Sequence, residues 1–293
     1  MGCFISPAPT DKPYEEMCQK AGQALIPLSQ YNTNKSFFFK DSDGCAWKLR
    51  KHPCRKEAID TFNNNKGVCR LPDTEYILKP LQVHMVGRKA IALKMAHGGK
   101  DLYDIMTVDF EPYIILQALT DISEAIHWLH GHGIAHRDVK PENIVLHKGR
   151  FKLIDFDFSC SLDNFQHCGT ENYMCSPKVT DTWPGSTTES SRRADVYAFG
   201  KMIFASLCNA AYNGYIKGHF YLRKMFRDDI AVASWKIAPD WQPWLDLAVA
   251  CCGKIPPVSI PPLPATVKHT LGTIHAETSG TPLQMVDADD IFA

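Results

Sequence analysis

Residues 136–143 read His-Arg-Asp-Val-Lys-Pro-Glu-Asn, and this stretch decides how the whole sequence is interpreted. It places the carboxylate of Asp138, the amine of Lys140 and the amide of Asn143 on one short segment. An acid, a cation and an amide so close together can accept a proton, stabilise negative charge and hold a metal ion. We therefore take this segment as the strongest candidate for chemistry in the chain.

A long helix is predicted before this segment and two short strands after it. Apolar side chains recur at spacings of four, three, four and three residues, which is the period of one helical face. They are Ile115, Leu119, Ile122, Ile126 and Leu129. Gly131 and Gly133 end the predicted helix, and residues 143–146 and 151–154 are predicted strands joined by a turn.

Three further motifs follow in order along the chain. Asp-Phe-Asp at residues 155–157 ends the second strand, CGTENYM occupies residues 168–174, and DVYAFG opens an apolar helix at residues 195–208. With residues 136–143, these motifs resemble those of the eukaryotic protein kinase family, over residues 25–253. The ordered co-occurrence makes the resemblance specific, whereas one tripeptide alone would be weak.

The resemblance implies an α+β fold with two lobes. A small β-rich lobe is expected over residues 25–95 and a larger helical lobe over residues 96–255. A flexible N-terminus is expected at residues 1–24 and a proline-rich, irregular tail at residues 256–293. The small lobe has one helical candidate, residues 55–62. Its strand-like runs are residues 36–40, 45–50, 76–83 and 89–95.

The resemblance also implies roles for individual residues, with ATP and Mg²⁺ as the cofactors. Asp138 would be the catalytic base toward the substrate hydroxyl, and Lys140 would stabilise the transferring phosphoryl group. Asn143 and Asp155 would supply oxygen ligands for Mg²⁺. These assignments predict a phosphotransferase that acts on protein substrates.

The substrate class follows from the same comparison. Lys140 and the pattern at residues 169–173 are similar to those of serine/threonine kinases, in which Thr170 would hydrogen-bond Asp138 and Lys140. Arg137, next to Asp138, suggests control by phosphorylation of the following segment. Ser159, Ser161 and Thr170 are the available acceptors there.

Nucleotide-binding residues are expected in the small lobe. Ala46-Trp47-Lys48 resembles the family's motif for the lysine that pairs the ATP phosphates, with Lys51 as the fallback. Glu57 is the best helix-borne partner for Lys48, but it lies close to Lys48 in sequence. Asp60 and a purely surface role for Glu57 therefore stay open as alternatives.

The run at residues 90–99 resembles the family's fifth strand and the connection that follows it. Leu93 would be the gatekeeper, and adenine would hydrogen-bond backbone groups near Lys94 and Ala96.

Three departures from the family pattern bear on activity. Residues 28–35 contain no glycine where a glycine-rich loop should cover the phosphates, so weaker ATP binding is expected. Asp157 replaces the family's glycine after Asp-Phe, and Ser-Pro-Lys at residues 176–178 replaces Ala-Pro-Glu. An active enzyme is favoured, and a pseudokinase that acts as a scaffold or decoy is the alternative.

Charge and cysteine content exclude other classes of protein. The 293 residues include 32 Lys and Arg and 32 Asp and Glu, so the net charge is zero and no nucleic-acid partner is expected. Eleven cysteines without a CxxC pair are typical of reduced thiols, which predicts an intracellular, cytoplasmic protein. The sequence carries no signal for an oligomeric state.

The N-terminal residues carry a lipidation pattern. Gly2 with Ser6 fits N-myristoylation, and Cys3 fits palmitoylation, whereas Pro7 is unfavourable for the acyltransferase. Membrane association is expected only if Gly2 and Cys3 are acylated, because stable attachment takes two acyl chains.

Overall fold

A computed structural model describes residues 12–28, 32–108, 112–212 and 241–264. The chain divides into two compact units, which are residues 1–98 with 154–159 and residues 99–153 with 160–293. The acylation sites Gly2 and Cys3 lie outside the described residues, as does most of the predicted tail.

The first unit contains a five-stranded antiparallel sheet in the order β1-β2-β3-β5-β4. The strands are β1 (Ile26–Pro27), β2 (Ser36–Lys40), β3 (Ala46–Lys51), β4 (Gln82–Val86) and β5 (Ala90–Met95). Alternate side chains of β2 and β3, including Phe39, Trp47 and Leu49, lie in one hydrophobic cluster. The strand predicted at residues 76–83 is wrong, because pairing with β5 begins only at Gln82.

A helix, α1 (Lys12–Ala21), occupies part of the segment that was expected to be flexible. Its Met17 is fully buried and its Tyr14 ring lies 5.1 Å from the ring of Phe39. The Glu16 carboxylate accepts a hydrogen bond from the Gly87 N–H. The sequence did hold a signal for this helix, since its packed residues recur at spacings of three, one and three. They are Tyr14, Met17, Cys18 and Ala21.

The second helix, α2 (Arg55–Cys69), continues seven residues beyond the predicted end at Phe62. Its extension runs through the polar residues Asn63, Asn64 and Asn65. The buried positions are Ala58, Thr61, Asn65 and Val68, which share one helical face. The prediction stopped too early because an asparagine run is a weak helix former, and here packing of this face overrides propensity.

The second unit is mainly helical, as predicted. Its helices are α3 (Leu102–Val108), α4 (Pro112–Gly131), α5 (Pro177–Thr180), α6 (Thr187–Tyr212) and α7 (Gln242–Cys251). Its short strands are β6 (Ile134–Ala135), β7 (Ile144–His147), β8 (Arg150–Leu153) and β9 (Cys160–Ser161), paired β6 with β9 and β7 with β8. The five apolar residues that predicted α4 are all buried. In the described part of the chain, no helix is long and apolar enough to cross a membrane.

The chain after α7 is irregular but packed against its own unit. The Trp183 indole N–H donates to the Lys254 carbonyl at 3.1 Å, and the Arg193 guanidinium donates to the Pro256 carbonyl. Pro256 and Ile260 are buried. Trp183, after α5, and Arg193, in α6, are thus both bonded to the chain that follows α7. Lys178 of α5 stands where the family has a glutamate.

We expect Gly200→Ala to destabilise the protein by about 1–3 kcal/mol, because a Cβ there would lie 2.6 Å from both Cys251 Cβ and Cys252 Sγ. The gain in helix propensity, about 1 kcal/mol, is too small to offset this overlap. Gly67→Ala is the matched control, because Gly67 is also helical but its Cβ would meet no atom within 4 Å. Thermal unfolding of both variants checks the prediction, and an equal or higher Tm for Gly200→Ala would contradict it.

Candidate active site

A cluster of four charges and one amide lies within the first unit. The ammonium of Lys48, on β3, forms ion pairs with Asp155 and Asp157 at 2.8 Å each. Arg50, two residues along the same strand, forms an ion pair with Asp157 at 3.0 Å. With Asn65 of α2, these residues make up what we call the lysine cluster.

Electrostatics holds both ends of the Lys48–Asp155 pair in the charged state. Burial alone would lower the pKa of Lys48, but the carboxylates of Asp155 and Asp157 outweigh it and raise the pKa. Burial alone would raise the pKa of Asp155, but the Lys48 ammonium outweighs it and lowers the pKa. Lys48 and Asp155 are therefore both ionised at neutral pH.

Asn65 and Asn64 connect α2 to this cluster. The side-chain amide of Asn65 donates to Asp157 Oδ1 at 2.9 Å, and that of Asn64 donates to the Asp157 carbonyl at 2.9 Å. Sequence reasoning missed both residues, although Asn65 sits on the buried helical face with Ala58 and Val68. A polar residue on a buried face needs a partner, and that is the signal that could have identified Asn65.

The structure corrects the expected pair between Lys48 and Glu57. Glu57 lies in the first turn of α2, is exposed, and its side chain contacts the Cys54 thiol at 3.7 Å. Asp60 is exposed as well. Lys48 is buried in the cluster, whereas the fallback Lys51 lies over the Phe37 ring at 5.1 Å. Lys48 stays the predicted nucleotide-binding lysine, and its predicted pair with Glu57 is wrong.

The residues expected to contact adenine lie at the end of β5. Leu93 is buried and is paired with Lys48 in the sheet. The Lys94 carbonyl accepts a hydrogen bond from the Leu81 N–H at 2.7 Å, which engages one of its two lone pairs. The Lys94 ammonium forms an ion pair with Asp41 at 2.9 Å. Ala96 follows the strand and is half-buried.

A second cluster lies within the second unit and is built around Asp138. Thr170 donates to Asp138 Oδ1 at 2.7 Å and accepts from Lys140 at 2.7 Å, so both predicted hydrogen bonds of Thr170 are confirmed. Asn143 donates to Asp138 Oδ2 at 2.9 Å and to the Asp138 carbonyl at 2.8 Å. Lys140 lies 3.1 Å from Asp138 Oδ2. We call these four residues the aspartate cluster.

Asp195, in the first half of α6, holds the segment that carries Asp138. Its buried carboxylate accepts hydrogen bonds from the backbone N–H groups of His136 and Arg137 at 2.8 and 2.7 Å, and it contacts His130 Nε2 at 2.8 Å. Arg137 has a φ of 65°, a left-handed conformation that costs energy for a non-glycine residue. Burial would raise the pKa of Asp195, but hydrogen bonding to His130 and the other donors lowers it.

The profile of the protein kinase domain matches residues 45–252 of the 293-residue chain. The chain belongs to the protein kinase family. Both clusters and Asp195 lie within the matched residues, so the family assignment covers every residue of the candidate site described above.

Curated proteins similar to this kinase include cellular and viral sequences. One relative is a protein of Acanthamoeba polyphaga mimivirus that is named as a putative serine/threonine-protein kinase. It is 34% identical over 106 residues, which cover 34% of this chain and 36% of that protein. A cAMP-dependent protein kinase catalytic subunit named in Encephalitozoon cuniculi is 31% identical over 126 residues, covering 42% and 37%. Human testis-specific serine/threonine-protein kinase 3 is 32% identical over 130 residues, covering 42% and 46%. The chain thus matches less than half the length of each of these relatives.

Two side chains of this kinase fit the requirements of a magnesium ligand. Asp155 Oδ1 is buried without a hydrogen-bond partner, and Oδ2 binds Lys48. The hydrogen bonds of the Asn143 side chain come from Nδ2, which leaves Oδ1 as the atom for a cation. Carboxylate and amide oxygens are ligands that Mg²⁺ prefers.

Other polar residues near these motifs have structural contacts. The rings of His127 and His132 bond to backbone carbonyls one helical turn earlier, and in the described ranges no group of three or more His, Cys, Asp or Glu is placed to hold a metal ion. Ser159 was predicted as an available phosphate acceptor, and this prediction is wrong. Its side chain is buried and donates to the Phe156 carbonyl. Ser161 is exposed.

We expect Asp195→Asn to destabilise this kinase by about 2–3 kcal/mol near neutral pH, because an amide replaces one of the acceptor oxygens facing buried N–H groups. Since the pKa of Asp195 is lowered in the folded protein, its contribution is present above the usual value of 3.8 and is lost as pH falls through the folded value. The difference in unfolding free energy between wild type and Asp195→Asn should therefore narrow below about pH 4. Urea unfolding at several pH values measures this difference. The exposed Asp246→Asn is the control, and a difference that widens in acid would contradict the prediction.

Proposed function

We propose that this protein is a serine/threonine protein kinase that transfers the γ-phosphate of ATP to hydroxyl groups of protein substrates. The observation that carries the proposal is the geometry of the aspartate cluster. Thr170 Oγ1 lies 2.7 Å from both Asp138 Oδ1 and Lys140 Nζ, so one hydroxyl joins the acid and the cation. A substrate hydroxyl can make the same two contacts, which is the positioning that phosphoryl transfer needs.

Each residue of the aspartate cluster has one role in this proposal. Asp138 accepts the hydrogen bond and then the proton of the substrate hydroxyl. Lys140 stabilises negative charge on the transferring phosphoryl oxygens. Asn143 holds the Asp138 carboxylate through its Nδ2. Thr170 fixes the orientation of both Asp138 and Lys140.

The lysine cluster supplies the nucleotide side of the reaction. Lys48 contacts the phosphates of ATP, and Asp155 is the residue of this cluster that would hold Mg²⁺. When bound, Mg²⁺ neutralises charge that develops on the phosphate oxygens. The lowered pKa of Asp155 keeps its carboxylate ionised and able to bind a cation at neutral pH.

A pseudokinase scaffold is the second candidate, and one observation favours it. Polar side chains in the segment that replaces the glycine-rich loop bind backbone N–H groups of the following strand, β2. Asn32 Oδ1 accepts from the Phe38 N–H at 2.9 Å, and Thr33 Oγ1 accepts from the Ser36 N–H at 3.0 Å. These contacts place polar side chains where a glycine-rich loop would bring its backbone close to the phosphates, which favours weaker ATP binding.

We expect Asp138→Asn to reduce phosphate transfer from radiolabelled ATP to generic protein substrates by about 10²- to 10⁴-fold, because the variant cannot accept the proton. Asp163→Asn, which makes the same change at an exposed aspartate of the same unit, should leave transfer within about twofold. If the wild type transfers no more phosphate than Asp138→Asn at high Mg²⁺, the scaffold function is correct.

Thr170 provides a test of the substrate class. Thr170→Ser keeps the hydroxyl and should retain most of the kcat, whereas Thr170→Val removes both hydrogen bonds and should lower kcat by about 10²-fold. Phosphoamino-acid analysis of the product should yield phosphoserine and phosphothreonine. Phosphotyrosine as the main product, or equal kcat values for the two variants, would contradict the assignment.

Acylation of Gly2 and Cys3, with the membrane association it would bring, stays a proposal because these residues lie outside the described ones. An intracellular, cytoplasmic location is proposed on cysteine usage alone.

A further inference from the structure

The lysine cluster contains a carboxylate at a position where the protein kinase family has glycine. Asp157 is buried, with 2% of its side chain exposed, and each of its oxygens is engaged. Oδ2 faces the ammonium of Lys48 and the guanidinium of Arg50, and Oδ1 accepts from Asn65. Both oxygens of Asp157 face donors of the cluster, so we treat this residue as a charge partner of Lys48 and Arg50.

The helix side of the cluster shows the opposite change. The side chain of α2 that bonds to a carboxylate of the cluster is that of Asn65, a neutral amide, and the helix acid Glu57 is exposed in the first turn. The charges of Lys48, Arg50, Asp155 and Asp157 sum to zero without any acid from α2. A glutamate at position 65 would add an uncompensated negative charge beside Asp157, which buried sites do not tolerate.

We infer that Asp157 has taken over the positioning of Lys48 from the helix, and that Asn65 holds Asp157 in place for this purpose. The inference rests on the proposed function, in which Lys48 contacts the phosphates of ATP. Asp155 holds Lys48 through Oδ2 alone, since its Oδ1 has no hydrogen-bond partner and is the atom proposed for the cation. With Asp157 as the second partner, the ammonium stays fixed between two carboxylates. Asp157 and Asn65 are positioning residues, since they act through Lys48.

Relocating the acid tests this inference. Asp157→Gly, which restores the residue of the family, should raise the KM for ATP and lower kcat, with kcat/KM falling by about 10²-fold. Asn65→Glu alone should also lower kcat/KM because it adds a buried charge. The double variant Asn65→Glu/Asp157→Gly moves the carboxylate to the helix. A glutamate is one methylene longer than asparagine, and Asn65 Nδ2 lies 2.9 Å from Asp157 Oδ1, so the longer side chain extends toward the space that Asp157 leaves.

The double variant should recover at least about tenfold of the kcat/KM lost in Asp157→Gly. A purely structural role for Asp157 would give no such rescue, because the effects of two disruptive substitutions would then add.

Asp157→Asn is the second single variant, since it removes the charge at nearly constant size. Glu57→Gln is the matched control on the same helix and should stay within about twofold of wild type. Asp157→Gly at wild-type kcat/KM, or a folded double variant no better than Asp157→Gly, would overturn the inference.

Two readouts keep this test separate from the proposed function. Equilibrium affinity for ATP with Mg²⁺ should weaken about tenfold in Asp157→Gly and return in the double variant, even if wild type transfers no phosphate. Without nucleotide, the Tm of Asp157→Gly and Asp157→Asn should fall by about 5 °C or more and rise again in the double variant. If wild type transfers no phosphate but both patterns hold, the proposed function fails and the inference stands. If neither affinity nor Tm recovers in the double variant, the inference fails.

Discussion

The ammonium of Lys48 is buried, and a buried charge is stable only beside charges of opposite sign. This constraint accounts for the composition of the first unit's site. Two carboxylates, Asp155 and Asp157, surround the ammonium, and a second cation, Arg50, brings the sum of charges to zero. Asn65 then supplies a hydrogen bond without adding charge. Because the four charges balance one another, any single neutralising substitution leaves an excess, and the effect of a change at one residue depends on the others.

The second unit meets a related constraint by concentrating donors on buried carboxylates. Asp195 accepts two backbone N–H groups and contacts His130, which fixes the direction of the chain just before Asp138. Asp138 in turn is held by Asn143, Lys140 and Thr170. Arg137 lies just before Asp138 in the chain and has a left-handed backbone conformation. The hydrogen bonds from the N–H groups of His136 and Arg137 to Asp195 hold it in that conformation. The geometry at Asp138 thus depends on a helix residue that contacts no substrate in the proposed reaction.

Short-range patterns in the sequence were enough to predict one long helix and one group of site residues. The apolar period predicted α4, and the four motifs predicted the aspartate cluster and the hydrogen bonds of Thr170. The partners of Lys48 were not predictable in the same way, because Asp155 lies 107 residues away in sequence and Asn65 lies 92 residues from Asp157. The family pattern suggested a helix acid and therefore Glu57, whereas the charge balance that selects Asp157 exists only after the chain has folded. The helix α1 was missed for another reason, since its apolar face is short and partly formed by Tyr14 and Cys18.

The departures from the family pattern differ in what replaces them. The glycine after Asp-Phe is replaced by Asp157, which is bonded to three side chains, and the helix acid is replaced by Asn65, which bonds to that same aspartate. In the unit that lacks the family's glutamate at Lys178, Trp183 and Arg193 bond to the carbonyls of Lys254 and Pro256. In the segment that replaces the glycine-rich loop, by contrast, the side chains of Asn32 and Thr33 bond only to nearby backbone. A chain released from selection for catalysis would have no reason to keep a neutral buried charge cluster around Lys48, since apolar residues of similar volume are often as stable. The charge cluster around Lys48 therefore favours the proposed enzyme with reduced nucleotide affinity over the proposed scaffold.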